Sequence, residues 1–368
     1  MKTFILGGYG NTGYLISRLL LQHSNTEIVI GARNKVKVEE AALSLNQEFN
    51  TNRVSFKELD AGSRESLKEA FRSSDIVVVA SSTIEFTKNV VEACLDSNCD
   101  YLDLQLSSPS KHKILEAFKG RINSDKRCFI TDGGFHPGVP AAMVRYAATQ
   151  FENLSSANVY GAFRINWKEL KFSESTILEF VDELKYFDPK AFIDKEWKQM
   201  SYSKVPKYDF GKNFREQYAT PMYMKELDSL PSEIPSLKET GFYIAGFNPF
   251  TDYFVLPLTL LLLKVLGEAS IPFISRFFFW SLKTFTKPPF AATLQLLARG
   301  RREGQAKEMK MVLEHEEAYV LTAVPVVACL LQYFSGNRKE GLHFQAQFVE
   351  PETFFKDIER LGIRSYRS

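Results

Sequence analysis

The stretch that decides the fold is residues 3–21, TFILGGYGNTGYLISRLLL. It predicts a strand over Thr3–Leu6, then a tight turn, then a helix. Gly8, Gly10 and Gly13 stand in G-x-G-x-x-G register within the turn. Glycines in this register let backbone N–H groups at a helix N-terminus approach a pyrophosphate, because no Cβ stands in the way. The stretch therefore predicts a dinucleotide-binding turn.

The residues that follow the second predicted strand, Glu27–Ile30, indicate which dinucleotide binds. Proteins that bind NAD usually place an acidic residue there, where it accepts hydrogen bonds from ribose hydroxyls. This chain has Gly-Ala-Arg-Asn at 31–34 instead. The planar guanidinium of Arg33 suits a phosphate, so the sequence favours NADP(H) over NAD(H). The alternative is that Arg33 is a solvated loop cation.

Length and charge limit the class of protein. The 368 residues, 45% of them hydrophobic, are enough for a large core and for two domains or one domain with a large insertion. Lys and Arg number 46 against 44 Asp and Glu, so no strong net field would attract nucleic acid. We therefore expect no nucleic-acid partner.

The cysteines and the N-terminus indicate the compartment. The four cysteines are scattered without C-x-x-C spacing or nearby histidine pairs, which predicts neither a metal site nor a disulfide framework. Met1 lies almost directly before the first predicted strand, which predicts no secretory or transit peptide. These features favour a cytoplasmic protein in a reducing compartment.

Strands and helices alternate beyond the first unit of the fold. Further strands are predicted over 53–57, 75–79, 100–104 and 127–131, and helices over 64–72, 87–95 and 111–118. Apolar strands separated by helices of this length indicate a parallel sheet covered on both faces. The predicted fold class is α/β, an N-terminal Rossmann doubly wound parallel sheet with a second α+β domain.

The pattern changes after Thr131, at a segment rich in glycine and proline that precedes a helix of small residues at 141–149. Later strand-like pieces, 158–163 and 309–313, are not separated by regular helices. We therefore predict a Rossmann domain over 1–135 and a substrate and dimerisation domain over 136–340. A C-terminal segment, 341–368, is predicted to return to the first domain.

An apolar region over 254–280 has several interpretations. Pro257, Lys264 and Glu268 are among the residues that interrupt it, and a spanning helix needs about 20 mostly apolar residues. A membrane-crossing helix is therefore not predicted. A buried helix pair or a dimer interface explains the region, and so does a surface that touches a membrane or admits a lipid-like substrate.

Several separated segments together resemble the saccharopine dehydrogenase-like oxidoreductases. The segments are 7–13, 31–34, 59–61, 90–104, 134–138 and 349–352, and the similarity is good over about the first 150 residues. The resemblance implies an NADP-binding Rossmann domain, a mixed substrate domain and often a homodimer. It also implies hydride transfer to a C=N, C=O or polarised C=C bond of a small molecule.

The resemblance also implies positions in the cofactor site. The residues expected to line the pyrophosphate are Gly8, Tyr9, Gly10, Asn11, Thr12 and Gly13. The residues expected at the 2′-phosphate, the adenine and the nicotinamide ribose are Arg33 and Asn34, then Asp60 and Ala61, then Ser81, Ser82 and Thr83. A turn or helix cap is the alternative for Asp60.

The family's hinge motif usually reads Gly-Leu-Asp-Pro-Gly, and here His136 replaces the acid. This departure argues against saccharopine itself as the substrate. Because histidine titrates near neutral pH, we predict His136 as the general acid, with Asp132 beside it and Tyr160 as a second polar group. A structural turn histidine is the alternative.

A different class of function also fits the sequence. The chain could bind NADP(H) without turnover, as a redox sensor or a scaffold at a membrane surface. The segments that would touch the membrane are Phe277–Trp280 and Arg299–Arg302. This hypothesis predicts cofactor binding, no oxidation across a panel of substrates, and sedimentation with anionic vesicles.

Overall fold

The computed structural model of this chain describes residues 1–169, 178, 181, 184–201 and 205–368. These residues divide into two compact units. The first unit is Met1–Ala142 with Tyr319–Ile363, and the second is Met143–Ala318 with Arg364–Ser368. The domain boundaries at 135 and 340 stay a prediction.

The first half of the Rossmann-like unit alternates strands and helices as the sequence predicts. Its elements are β1 (Lys2–Leu6), α1 (Asn11–His23), β2 (Glu27–Ala32), α2 (Lys35–Glu48), β3 (Val54–Glu58), α3 (Arg64–Phe71), β4 (Ile76–Val79), α4 (Thr87–Asp96), β5 (Asp100–Asp103), α5 (Pro109–Ser124) and β6 (Cys128–Thr131). The next helix, α6 (Val139–Gln150), begins in the first unit and continues into the second.

The second unit is built mainly from strands. Its elements are β7 (Asn153–Arg164), β8 (Lys190–Ile193), β9 (Glu196–Gln199), β10 (Lys207–Asp209), β11 (Glu216–Pro221), α7 (Leu230–Glu233), β12 (Glu239–Ala245), α8 (Leu256–Leu266), α9 (Ile271–Phe285), β13 (Ala291–Arg302) and β14 (Gln305–His315). The chain ends with α10 (Ala318–Phe334), β15 (Gly341–Phe344), α11 (Gln345–Phe348), α12 (Pro351–Arg360) and β16 (Arg364–Arg367).

The sheet of the first unit has seven strands in the order β15-β6-β5-β4-β1-β2-β3, and all neighbours are parallel. Its central strands are continuous apolar runs; every residue of β4 is buried, for example. Such strands are typical of a sheet with helices on both faces. The order places β1 and β4 side by side, which is the switch point of a doubly wound sheet. The predicted fold class is confirmed.

One glycine fixes the packing beneath the predicted cofactor turn. A Cβ at Gly31 would lie 2.3 Å from the ring of Phe4. Phe4 is fully buried and meets the ring of Phe71 edge-on at 5.0 Å. Gly31 therefore lets a large aromatic side chain fill the core directly below the strand ends that carry the site.

The second unit contains a nine-stranded mixed sheet. β12 and β7 are parallel, whereas β7 and β14 both pair antiparallel with β13. The predicted strand pieces 158–163 and 309–313 lie within β7 and β14. This mixed sheet confirms the predicted α+β character of the second domain.

The apolar region at 254–280 forms a pair of helices, α8 and α9, with a π-helical turn at Thr251–Val255 before them. One side of α9 is buried, through Ile274, Phe278 and Leu282. Within the part of the chain that the structure describes, no helix has both the length and the hydropathy to cross a bilayer.

The C-terminal segment contributes to both units. β15 pairs in parallel with β6 at the edge of the first sheet, and α12 belongs to the same unit. β16 pairs antiparallel with β14 in the second unit.

Candidate cofactor site

The turn between β1 and α1 is shaped by glycines that tolerate no side chain. Gly7 has a φ of +87°, in the left-handed region. A Cβ at Gly8 would lie 2.5 Å from the Cβ of Ile30, and a Cβ at Gly13 would lie 2.5 Å from the carbonyl oxygen of Gly7. Gly13 therefore brings α1 close to the turn, and Gly8 brings the turn close to β2.

The N-terminus of α1 is suited to binding an anion. The helix begins at Asn11, and its N-cap residue, Gly10, has no side chain to bond the first N–H groups. The first turn holds no acidic residue. The helix dipole and the N–H groups of this turn thus favour a phosphate, and no carboxylate competes with it.

Cationic side chains gather where β2 ends and α2 begins. Arg33 is exposed directly after β2. The Asn34 side chain caps α2, because its Oδ1 accepts a hydrogen bond from Lys37 N at 3.0 Å. The Lys37 Nζ lies 5.9 Å from the centre of the Tyr9 ring, which links this helix start to the glycine turn.

Sequence reasoning missed two of these cations, Lys35 and Lys37. Both lie in the first turn of α2, which has no acidic residue. The signal was the run of basic residues directly after Arg33. Together with the helix N-terminus, the three cations give the site a donor set that fits the extra phosphate of NADP.

The predicted adenine residues lie in the turn after β3. The Oδ1 of Asp60 accepts a hydrogen bond from Gly62 N at 3.0 Å, so this carboxylate caps its own turn. Ala61 is buried beside it. The contact of both residues with adenine stays a prediction.

The residues predicted to contact the nicotinamide ribose lie in the turn after β4. Gln105, which follows β5, forms hydrogen bonds with two of them. The hydroxyls of Ser81 and Thr83 are 3.0 Å apart. The Gln105 side chain donates to the Ser81 carbonyl at 3.3 Å and to the Thr83 hydroxyl at 3.2 Å. Among the described residues, the buried Gln105 Oε1 has no hydrogen-bond partner. Gln105 therefore offers an acceptor to a ligand N–H group, and Ser82, between the two hydroxyls, stays a predicted contact.

A largely buried charge cluster surrounds Asp132. Its carboxylate lies 2.7 Å from Lys111 Nζ and 3.1 Å from His112 Nε2, and it accepts a 2.6 Å hydrogen bond from Ser107. Lys111 also lies 2.7 Å from Asp103, and none of the three side chains Lys111, Asp103 and Asp132 is exposed. Sequence reasoning did not identify this cluster, since its members come from three separate segments.

The cluster determines the protonation of Asp132. Burial by itself raises the pKa of a carboxyl group, but the charge of Lys111 and the hydrogen bond with His112 hold the pKa of Asp132 well below its usual range. Asp132 is therefore an ionised partner of Lys111 at neutral pH. Its predicted part in proton transfer stays a prediction, and the contacts favour a role in positioning the turn that follows it.

The turn that carries His136 is held by a distant side chain. The amide group of Gln345 accepts from Gly134 N and donates to Gly134 O, both at 3.1 Å. Gly134 and Gly138 have φ values of +125° and +116°. A Cβ at Gly138 would lie 2.6 Å from Gln345 Nε2, so glycine is needed for this close approach.

The expectation that His136 titrates near neutral pH is wrong. The side chain is half-buried, and burial lowers the pKa of His136 to about 4. Burial disfavours the charged imidazolium, because the interior solvates it less well than water does. At neutral pH His136 is therefore a neutral imidazole.

Tyr160 lies on β7, in the second unit, whereas His136 lies in the first. Its ring stacks on Tyr208 at 3.8 Å and on Tyr243 at 5.1 Å between ring centres. Burial raises the pKa of Tyr160. Two of the three rings, Tyr160 and Tyr243, line a cavity of about 310 Å³. The residues that line this cavity are Ser156, Asn158, Tyr160, Ile193, Met200, Pro206, Glu239, Tyr243, Leu297 and Arg299.

The cavity combines aromatic faces with both signs of charge. Arg299 and Glu239 are both in register with Ser156, on opposite neighbouring strands. Arg299 pairs with Glu308 at 2.7 Å. Among the described residues the buried Asn158 Oδ1 has no hydrogen-bond partner. The cavity therefore has groups that could bind a ligand bearing an amine or a carboxylate.

Comparison with known proteins matches both the first unit and the whole chain. Residues 3–126 match the family model described as the saccharopine dehydrogenase NADP binding domain. The carboxynorspermidine synthase of Vibrio cholerae serotype O1 is 23% identical over 411 aligned positions, which cover 97% of this chain and 94% of that relative. The carboxynorspermidine synthase of Vibrio alginolyticus is 21% identical with the same coverage.

A solved structure shares the whole fold. The apo saccharopine dehydrogenase (L-Glu forming) of Saccharomyces cerevisiae superposes with a TM-score of 0.66 and 12% identity. The match covers 100% of this chain and 99% of that one. At this identity the likeness shows the fold, in which a parallel sheet and a mixed sheet occur in one chain.

Proposed function

We propose that this chain, which belongs to the saccharopine dehydrogenase-like family of NADP-binding oxidoreductases, uses NADPH to reduce a C=N bond between an amine and a carbonyl compound. The observation that carries the cofactor part of the proposal is the paired site at the ends of β1 and β2. There a glycine turn without acidic residues adjoins Arg33, Lys35 and Lys37.

The residues present fit the cofactor. The first turn of α1 would bind the pyrophosphate through its N–H groups, and the cations at the start of α2 would bind the 2′-phosphate. Gln105, Ser81 and Thr83 would bind the nicotinamide end through their polar groups. When bound, NADPH supplies the hydride that reduces the carbon of the C=N bond.

The relatives favour a C=N bond over the other two bond types. A carboxynorspermidine is a polyamine with a carboxyl group, and the relatives that cover nearly the whole chain are named for its synthesis. An amine-bearing acid is also the ligand class that suits the cavity beside Tyr160, because Glu239 and the tyrosine faces attract an ammonium group. We propose that this cavity binds a ligand of that class.

A C=N nitrogen is basic enough to carry a proton before reduction, so the protein need not supply a strong acid. This suits a neutral His136, which would orient the substrate by a hydrogen bond or accept a proton when the amine adds to the carbonyl. Asp132 would act through its ion pair with Lys111, which holds the turn before His136.

Binding to the purified chain tests the cofactor site. Titration calorimetry with NADPH and NADH should show tighter binding of NADPH. The double substitution Arg33→Ala/Lys37→Ala should weaken NADPH binding by about tenfold to a hundredfold, and NADH binding much less. Lys113→Ala, an exposed cation on α5, is the matched control. Equal binding of the two nucleotides by the unaltered chain would contradict the 2′-phosphate site.

Turnover tests the reaction. NADPH oxidation should require a carbonyl compound and an amine together, with aldehydes and keto acids tested against diamines and amino acids. Oxidation with the carbonyl compound alone would indicate a C=O reductase, and oxidation of a lipid-like enone would indicate a C=C reductase. NADPH binding with no oxidation across the panel would instead favour the non-catalytic sensor.

A further inference from the structure

The helix pair α8–α9 presents an apolar surface that the cofactor site does not use. Among the residues that the structure describes, seventeen large hydrophobic side chains are exposed, and nine of them lie from Tyr253 to Phe285. On α8 they include Leu258, Leu261 and Val265, whose spacing puts them on one helix face. The concentration of exposed apolar side chains in one segment marks an interaction surface.

The helix α9 is apolar on two opposite sides. Ile274, Phe278 and Leu282 are buried, whereas Phe273 is 70% exposed and Trp280 is 49% exposed. A helix that faces water normally carries polar residues on its outer side. The outer side of α9 is therefore suited to an apolar or interfacial medium, and tryptophan is a side chain that favours the boundary between water and lipid.

The charges around this surface are almost all positive. From 253 to 287 the chain has four basic residues, Lys264, Arg276, Lys283 and Lys287, and one acid, Glu268. All four basic side chains are exposed. Asp252, just before the segment, is half-buried and accepts a hydrogen bond from Phe247 N at 2.9 Å. The apolar surface is thus bordered by cations.

The cations around the apolar surface distinguish between two binding partners, a second copy of the chain and an anionic membrane. A second copy of the chain on a twofold axis would set the same four cations against themselves, since both sides of such an interface are identical. Like charges across an interface disfavour association. An anionic bilayer has the opposite charge, and each lysine or arginine near its surface contributes about 1 kcal/mol.

We propose that the outer face of α8–α9 binds peripherally to an anionic lipid membrane, with Phe273 and Trp280 inserted at the interface. Phe254, which is 68% exposed just before α8, extends the inserted surface. The cations Lys264, Arg276, Lys283 and Lys287 contact the lipid headgroups. This surface acts in addition to the proposed reductase activity and does not depend on it.

Sedimentation of the full chain with vesicles tests the proposal. The unaltered chain should sediment with vesicles of phosphatidylcholine and phosphatidylserine, and less with phosphatidylcholine alone. Phe273→Ser/Trp280→Ser should lower the fraction bound at least about tenfold, because two inserted apolar side chains are lost. Lys283→Gln/Lys287→Gln should lower binding to the anionic vesicles and remove about half of its salt dependence, because two of the four cations are lost.

A matched control replaces exposed apolar residues elsewhere. Leu43 and Tyr366 are 62% and 57% exposed, and neither lies in α8 or α9. Leu43→Ser/Tyr366→Ser should sediment like the unaltered chain. The circular dichroism spectrum should be unchanged in all three double variants, which checks that each is folded. Lipids with brominated acyl chains should quench tryptophan fluorescence, and Trp280→Phe should remove the quenching.

Three outcomes would overturn the proposal. The unaltered chain could fail to sediment with either vesicle, or the Phe273/Trp280 variant could sediment as well as the control. The third outcome combines two results. The unaltered chain would be a dimer that does not bind vesicles, and sedimentation velocity would show that the Phe273/Trp280 variant is a monomer. That result would make the face an interface between two copies.

Discussion

Two glycine-rich turns of the first unit, 7–13 and 132–138, both leave a parallel strand and lead into a helix, yet they are held in different ways. The turn at 7–13 depends on missing side chains, since a Cβ at Gly8 or Gly13 would collide with its neighbours. The turn at 132–138 also needs a glycine, Gly138, but side chains hold it in addition. Asp132 binds the buried Lys111, and Gln345 bonds both backbone groups of Gly134.

The difference has a functional consequence. A turn that exposes backbone N–H groups at a helix N-terminus can bind a charged ligand directly. A turn held by a buried ion pair has its charges already satisfied, so it is suited to hold a neutral group such as His136 in place. We therefore expect substitutions at the first turn to affect the cofactor, and substitutions around the second to affect stability and the substrate.

The largest effect should come from replacing Lys111, the buried cation of α5 that pairs with Asp132 in the second turn. Lys111→Met leaves the carboxylates of Asp103 and Asp132 buried without their shared partner. We expect the free energy of unfolding to fall by about 3–5 kcal/mol, because an uncompensated charge remains in the interior. Urea titration of the full chain, followed by circular dichroism, measures the change.

The control lies two residues further along the same helix. Lys113 is exposed on α5, so Lys113→Met should change the free energy of unfolding by less than about 0.5 kcal/mol. If Lys111→Met proved as stable as this control, the buried ion pairs would not hold the second turn, and its contrast with the first turn would be lost.

The first turn should respond to one added methyl group. In Gly13→Ala the new Cβ would lie 2.5 Å from the Gly7 carbonyl oxygen, which belongs to the backbone and has little freedom to move. We expect a loss of about 1–3 kcal/mol of stability, as for other overpacked sites. NADPH binding, measured by calorimetry, should weaken at least about tenfold, since the start of α1 must shift.

Gly120→Ala is the matched control for that substitution. Gly120 lies within α5, and a Cβ there would meet nothing within 4 Å. Alanine should therefore stabilise the helix by about 0.5–1 kcal/mol without altering NADPH binding. Unchanged cofactor affinity in Gly13→Ala would show that the close approach of α1 to the turn is not needed for the ligand.

The first turn could be predicted from the sequence because its signal is local. The glycine register, the strand before it and the helix after it occupy nineteen consecutive residues, 3–21. Arg33 follows the next strand at a fixed place in a βαβ unit. The same local patterns predicted the first six strands of the parallel sheet to within one or two residues.

The second turn could not be predicted because its partners are distant in the chain. In the sequence Lys111 resembles any exposed lysine of an amphipathic helix. No neighbouring residue indicates that it is buried between Asp103 and Asp132. Gln345 is more than 200 residues from Gly134. From the sequence alone, His136 is expected to have the ordinary pKa of a histidine, because its burial depends on packing that no local pattern predicts.

The smallest effect concerns the protonation of His136. Its pKa in the folded chain is about 4, below the usual value of about 6.5 expected in the unfolded chain. The unfolded chain therefore takes up the proton first, and the stabilising contribution present above pH 6.5 is lost as the pH falls towards 4. Between pH 8 and pH 5.5 the free energy of unfolding should fall by about 1 kcal/mol because of this group, and His136→Asn should remove that part of the pH dependence.

Urea titrations of both proteins at both pH values measure the difference, and the two titrations at pH 8 correct for any effect of the substitution unrelated to protonation. An identical pH dependence in the two proteins would mean that His136 is solvated as in water, and the second turn would then present a titrating group to the substrate after all.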